Sequence, residues 1–164
     1  MTDTAPLSAA PCGLETALAA KGFDSLMPIQ AAVLAPETEG RDLRITSQTG
    51  SGKTVAVGLA VAEDVQAAAE GWKRKKGSKG KRAAEPAVCF IAPTRELAQQ
   101  LGRELDWLFR PLGGRVVVVT GGTSVMGERR ELSASPTVVV GTPGRLRDPL
   151  EKKAVGVCEA LEKL

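Results

Sequence analysis

The sequence predicts an α/β domain of three layers, a parallel sheet with helices on both faces. Three observations lead there. Four short apolar stretches, at 44–46, 87–92, 116–120 and 137–140, read as strands, and each is followed by a helical pattern rather than a tight turn. The Val-rich runs 116–119 and 138–140 are continuous instead of alternating, which suits strands covered on both sides. The 164 residues, 43% apolar and 25% charged, allow one sizeable core and show neither an internal repeat nor a linker to a second.

Taken in order, Leu14, Ala17 and Leu18 share a helical face that ends at Gly22. A second short helix opens at Pro28 and stops before Pro36. The strand at 44–46 leads through a Gly-rich turn into an Ala-rich helix that reaches about Glu70. After the strand at 87–92, Leu97, Leu101, Leu105 and Leu108 form an apolar stripe on a helix stopped by Pro111 and the Gly113-Gly114 pair. The domain is expected over 1–147. The tail 148–164 carries Leu150, Val155, Val157, Ala160 and Leu161 at helical spacing, interrupted by Pro149 and Gly156.

Composition removes several classes of chemistry. There is no histidine, so imidazole bases, Ser-His triads and His-ligated metals are excluded. Cys12, Cys89 and Cys158 are an odd number without zinc or disulfide spacing, which points to a reducing cytoplasm. The first residues lack a basic n-region and an apolar h-region, and no apolar run is long enough to cross a membrane. With Phe23, Trp72, Phe90, Trp107 and Phe109 as the only aromatics, a sheet of stacked rings for reading bases is a poor candidate. The net charge of +3 is local: residues 72–82 hold seven basic side chains and no acid, so the remainder is net acidic. That segment reads as a solvated basic insertion, with a phosphate-attracting arm as the alternative.

The sharpest local signal is Thr49-Gly50-Ser51-Gly52-Lys53-Thr54, between an expected strand and an expected helix. Gly50 and Gly52 clear the turn so that backbone N–H groups can surround phosphate oxygens at a helix N-terminus. Lys53 adds a cation toward the β and γ phosphates, and the Thr54 hydroxyl can complete the shell of a magnesium ion held by them. ATP with Mg2+ is the expected ligand, bound by Thr49, Gly50, Ser51, Gly52, Lys53 and Thr54, with Lys53 stabilising the phosphates. The strict first glycine of such a turn is Ser47 here. A Gly-rich connector alone does not account for this lysine and threonine in this order. Such a turn works with a strand that ends in a magnesium-holding acid. The expected strands run instead into Ala92-Pro93, Thr120-Gly121-Gly122 and Gly141-Thr142. Glu63 and Asp64 follow an apolar run, but one that reads as helix with its acids facing solvent.

Together these motifs resemble the first RecA-like domain of the DEAD-box ATP-dependent RNA helicases, over most of residues 14–147. Gly22-Phe23 followed by Pro28-Ile29-Gln30 is similar to the Q motif of that family, placed at 22–30. Residues 47–54 are similar to its motif I, where the first position is ordinarily alanine. Pro93-Thr94-Arg95-Glu96-Leu97-Ala98 is similar to motif Ia, Gly121-Gly122 to the GG motif, and Thr142-Pro143-Gly144-Arg145 to motif Ib. The resemblance implies that Gln30 reads the adenine edge, that Phe23 packs on the base, and that RNA is gripped by its sugar-phosphate backbone through Pro93, Thr94, Arg95, Gly122, Thr142, Gly144 and Arg145. These positions fall just past strand ends, where open α/β sheets bind ligands, and Arg and Thr donors suit a phosphate chain better than base edges.

The chain also departs from the pattern. Leu26-Met27 stands where Pro-Thr is usual, Ala5 where an upstream phenylalanine is expected, and the 164 residues contain no D-E-A-D or S-A-T motif. The resemblance therefore implies an incomplete RecA-like P-loop NTPase domain, a fragment that alone binds ATP weakly at best and neither hydrolyses it nor unwinds RNA. In the resembled fold the strands of the missing motifs flank the P-loop strand, so a buried strand with unpaired backbone and a marginal or aggregation-prone chain are expected. The second reading is a non-catalytic nucleotide- and RNA-binding or partner-docking module. A P-loop kinase of a small substrate shares the phosphate turn but leaves residues 93–98 and 142–145 without a role.

Overall fold

The computed structural model describes residues 4–75, 86–121 and 125–151, so most of the basic segment, Gly122, Cys158 and the end of the tail lie outside the described residues. The chain divides into two compact units, Met1–Glu63 and Asp64–Leu164.

In the first unit, α1 (Glu15–Ala20) buries Leu14 and Leu18 completely, and Gly22, at φ +86°, ends it as the sequence indicates. α2 (Pro28–Val33) starts on a proline, whose missing N–H costs nothing in a first turn. The Thr38 hydroxyl ends the following turn by donating to the carbonyls of Ala35 at 2.7 Å and Val33 at 3.0 Å. α3 (Lys53–Ala60) packs against α2, with Val33, Val55, Ala56 and Leu59 buried. Ala5, before α1, and Leu26, after it, exchange backbone hydrogen bonds of 2.8 and 3.3 Å in an antiparallel bridge.

Several expectations change here. Residues 42–48 form no strand, and Leu43, Arg44 and Thr46 are exposed. The unpaired buried strand does not arise, because Leu43 and Ile45 offer little apolar area among Arg41, Asp42 and Arg44 and no ladder partner stands beside them within this unit among the described residues. Most of these residues are exposed, and the carbonyls of Ser47 and Gln48 accept from Lys53 Nζ. The helix expected to run unbroken to Glu70 is interrupted at Val61, whose N–H bonds Gly58 O at 3.3 Å in a tightened last turn. A glycine near a helix end favours such a stop. The chain then resumes as α4 (Ala62–Lys75), on which Glu63 and Asp64 are exposed as expected. Residues 72–75 of the basic segment are helical rather than loop.

The second unit holds a parallel three-stranded sheet in the order β1 (Val88–Ile91), β3 (Val138–Gly141), β2 (Val116–Val119). Every residue of the central β3 is buried, so each valine there contributes about 1.5–3 kcal/mol of apolar burial. The amino edge is clamped by Thr137, whose hydroxyl accepts from Arg115 N at 2.8 Å while its own N–H donates to Arg115 O at 3.0 Å.

Helices cover both faces, as the continuous valine runs require. On one face Val117, Val119 and Val139 form a core cluster with Leu132 of α6 (Val125–Ser133) and Leu146 of α7 (Pro143–Glu151), with Cys89 packed against it. The opposite face takes α5 (Arg95–Phe109), which contacts β2 and β3. Its buried side is Ala98, Gly102, Leu105, Leu108 and Phe109, whereas Leu97 is 47% exposed. The stripe read from the leucines is thus rotated at its amino end. Gly102 causes this: a β-carbon there would collide with a methyl of Val118, so the helix approaches the sheet through its smallest residue. At the chain's carboxyl side α7 continues past residue 147 to Glu151.

Candidate functional site

The phosphate turn is built within the first unit. Gly50 and Gly52 adopt φ +82° and +80°, and Gly52 is the N-cap of α3. The left-handed conformation at both ends of Ser51 curls the chain into a cup, and a helix N-terminus leaves its first N–H groups without intrahelical acceptors. Lys53 folds back over the cup, its Nζ donating to the carbonyls of Ser47 and Gln48 at 2.7 Å each. Ser51 N–H donates to Gln48 O at 3.3 Å, and the hydroxyls of Ser47 and Ser51 meet at 2.5 Å across the turn. Ser47 thus fits the first position by size and also ties it to Ser51, a contact that sequence spacing does not announce.

Gln30 is fully buried and stands beside this cup. Its Oε1 accepts from Met27 N at 2.9 Å, while its Nε2 is buried without a hydrogen-bond partner. A β-carbon on Gly52 would lie 2.5 Å from that nitrogen. The packing of α2 on α3 therefore brings the glutamine of one motif against the glycine of the other. Phe23 is half-buried in the turn after α1, its N–H donating to Leu18 O at 3.1 Å. Thr49 is exposed and Thr54 half-buried at the first turn of α3.

In the second unit the sheet register gathers the strand-end loops. Ile91, Gly141 and Val119 are aligned across the three strands, so the chain leaves β1, β3 and β2 from one row at the carboxyl edge. Ala92 N–H donates to Gly141 O at 2.9 Å and Thr142 N–H to Val119 O at 3.3 Å, which extends the ladder one residue into the loops. Thr94 caps α5, its hydroxyl accepting from Leu97 N at 3.3 Å, and Pro93, Thr94 and Arg95 are exposed. Thr142 O accepts from the N–H groups of Arg145 and Leu146 at 3.0 Å each, starting α7, with Gly144 exposed and Arg145 half-buried.

Arg145 reaches Gly121. At φ +74°, Gly121 has no β-carbon, and one placed there would collide with the guanidinium, its Cζ only 2.7 Å away. The N–H of the same glycine donates to Glu128 Oε1 at 3.0 Å, and Glu128 is 8% exposed. Gly122, the partner of Gly121 in the GG pair, lies outside the described residues. Sequence reading missed Glu128. Its signal was an acid four residues before the buried Leu132, on the covered face of a helix. Burial pushes the Cys89 thiol above its ordinary range.

Among the described residues no cluster of His, Cys, Asp and Glu is placed to hold a metal ion, and no helix is long and apolar enough to cross a membrane.

Comparison with known proteins matches this arrangement. Among curated relatives, DEAD-box ATP-dependent RNA helicase 52A of Oryza sativa subsp. japonica is 39% identical over 145 residues, covering 87% of this chain and 24% of that protein. The mitochondrial DEAD-box ATP-dependent RNA helicase 9 of Arabidopsis thaliana is 37% identical over 143 residues, covering 87% of this chain and 22% of its own length. The chain thus spans about a quarter of these relatives' length. Among solved structures, the yeast DEAD-box splicing factor Prp28 superposes with a TM-score of 0.66 at 26% identity over 91% of this chain and 34% of its own. A hypothetical ATP-dependent RNA helicase from Sulfolobus tokodaii gives 0.68 at 24% identity over 87% of this chain and 37% of its own, a likeness of fold. The fold is that of a RecA-like helicase domain. The family model for DEAD/DEAH box helicases matches residues 27–164, and the chain belongs to the DEAD/DEAH box helicase family.

Proposed function

We propose that the chain is the nucleotide- and RNA-gripping part of an ATP-dependent RNA helicase. It binds ATP with Mg2+ through Thr49, Gly50, Ser51, Gly52, Lys53 and Thr54, with Gln30 and Phe23 toward the base. It holds the RNA sugar-phosphate backbone, without sequence preference, through Pro93, Thr94, Arg95, Gly122, Thr142, Gly144 and Arg145. The observation that carries the reading is the meeting of Gln30 and Gly52: a buried amide donor without a partner, set against the glycine that shapes the phosphate cup. A triphosphate with its magnesium supplies the reactive γ-phosphoryl group; the cup's glycines, Lys53 and the α3 N-terminus bind and orient it. Lys53 exchanges its carbonyl acceptors for phosphate oxygens, a change from neutral to charged partners.

Residues 1–164 contain no D-E-A-D acid to position an attacking water, which supports the reading that this chain binds ATP weakly at best and does not hydrolyse it. In the full-length enzyme, binding is coupled to duplex unwinding as two RecA-like lobes close. Three cysteines without zinc or disulfide spacing support a reducing, cytoplasmic setting. The test is titration of the pure chain with Mg2+ and a fluorescent ATP analogue, beside an assay of phosphate release. Saturable binding weakened at least about tenfold in Lys53→Ala, with no turnover, is the expected result. Absence of binding at millimolar ATP, or turnover lost in Lys53→Ala, overturns the reading.

A second reading, a non-catalytic nucleotide-responsive module that binds RNA or docks to a partner, draws on the fully buried β3 and its covered faces. A cooperative thermal transition raised by ATP and Mg2+ favours it over an unstable fragment.

A further inference from the structure

Two groups grip one glycine at the sheet's carboxyl edge. Gly121 donates its N–H to the buried Glu128 carboxylate at 3.0 Å and receives the Arg145 guanidinium against its α-carbon. A carboxylate taken out of water is tolerated only where hydrogen bonds reward its charge, and a charge-assisted bond to backbone N–H is a strong one. Gly121 sits at φ +74°, so the direction of its N–H is set by a turn that few residues adopt. Glu128 comes from α6 and Arg145 from α7, both of which also send a leucine, Leu132 and Leu146, into the same apolar cluster. The two helices are thereby anchored to one face of the sheet, and a polar side chain from each reaches Gly121.

We propose that Glu128 is the positioning residue of the strand-end RNA grip: it pins the Gly121 turn, and the pinned turn seats the Arg145 guanidinium in line with a phosphate. This rests on the reading that Arg145 contacts RNA. Glu128 itself touches no phosphate. Its part is the hydrogen bond, so a glutamine, which offers the same acceptor without the charge, serves in its place.

The test measures binding of a single-stranded RNA oligonucleotide to the full chain across a salt series, for the wild type and for Glu128→Ala, Glu128→Gln, Arg145→Ala and the double variant Glu128→Ala/Arg145→Ala. The slope of log affinity against log salt changes by about 0.7 for each phosphate contact in a single strand. Glu128→Ala is expected to weaken binding about tenfold and to shallow the slope by about 0.7. Glu128→Gln restores both, and the double variant binds no worse than Arg145→Ala. A folded Glu128→Ala that melts lower yet keeps the wild-type slope overturns the proposal and leaves a merely structural residue. If Glu128→Ala does not fold, Glu128→Gln decides: affinity at or above wild type supports the proposal, and a loss overturns it. Unchanged affinity in Arg145→Ala overturns the RNA reading of that loop, and this inference with it. A weakened Arg145→Ala beside an unaffected Glu128→Ala overturns the inference alone.

Discussion

The side-chain amide nitrogen of Gln30 rests against the α-carbon of Gly52, close enough that a β-carbon there would lie 2.5 Å from it and 3.0 Å from Met27 Sδ. Two motifs well separated in the chain thus share one van der Waals surface, and that surface permits no side chain. Gly52→Ala would meet both the φ +80° backbone and these atoms. We expect a loss of about 1–3 kcal/mol in urea denaturation together with loss of nucleotide binding. Retention of wild-type stability would show that the glutamine moves aside freely.

The Ser47–Ser51 hydroxyl pair stands beside the Ser51 N–H, which bonds Gln48 O and, on the proposed function, turns to an incoming phosphate. A single net hydrogen bond contributes about 0.5–1.5 kcal/mol. Ser47→Ala should therefore tighten ATP binding by about two- to tenfold, read by isothermal calorimetry. Weaker binding would mean that the pair holds the cup open rather than shut.

Gly102 and Val118 offer a case in which local preference and packing oppose each other. Alanine is favoured over glycine inside a helix by about 1 kcal/mol, yet its methyl would enter the space of the Val118 side chain. Overpacking of this kind costs about 1–3 kcal/mol, so Gly102→Ala should destabilise the second unit despite the better helix former. Adding Val118→Ala should recover part of the loss, and thermal melts of the single and double variants check it.

Cys89 sets an alkaline limit. Its folded thiol is held above its ordinary range by burial, so the folded protein keeps a proton that the unfolded chain releases sooner. The protonated form carries the stability below the unfolded thiol's range, and stability falls as pH rises through the alkaline range toward the folded value. Denaturation midpoints in Cys89→Ala should show a shallower decline over that window. Alkylation of Cys89 in the folded protein should likewise require a more alkaline pH than in the unfolded chain.

Much of the second unit was legible because its strands declare themselves: 116–119 and 138–140 are runs of valine, and their continuity foretold cover on both faces. The leucine repeat of α5 misplaced the amino end of its buried side. Periodicity weighs residues by hydrophobicity, whereas the sheet selected Gly102 for closeness. The stretch 44–46 reads as a strand by composition, but a strand is a relation to a neighbour, and no neighbour pairs with it within its unit among the described residues. In the candidate site, residue order alone nominates the glycines, Lys53 and Thr54. Glu128 and the Ser47–Ser51 contact were not, since each depends on a backbone turn that brings residues of ordinary type into register.

The place of β3 between β1 and β2 has a consequence for biosynthesis. Neither outer strand touches the other, and the one that joins them is made last. Among the described strands, β1 and β2 leave the ribosome before the one that pairs with both, and their ladders can form only once Gly141 clears the exit tunnel. Such late closure exposes sticky edges during synthesis, and the interval ends with a single run of valines.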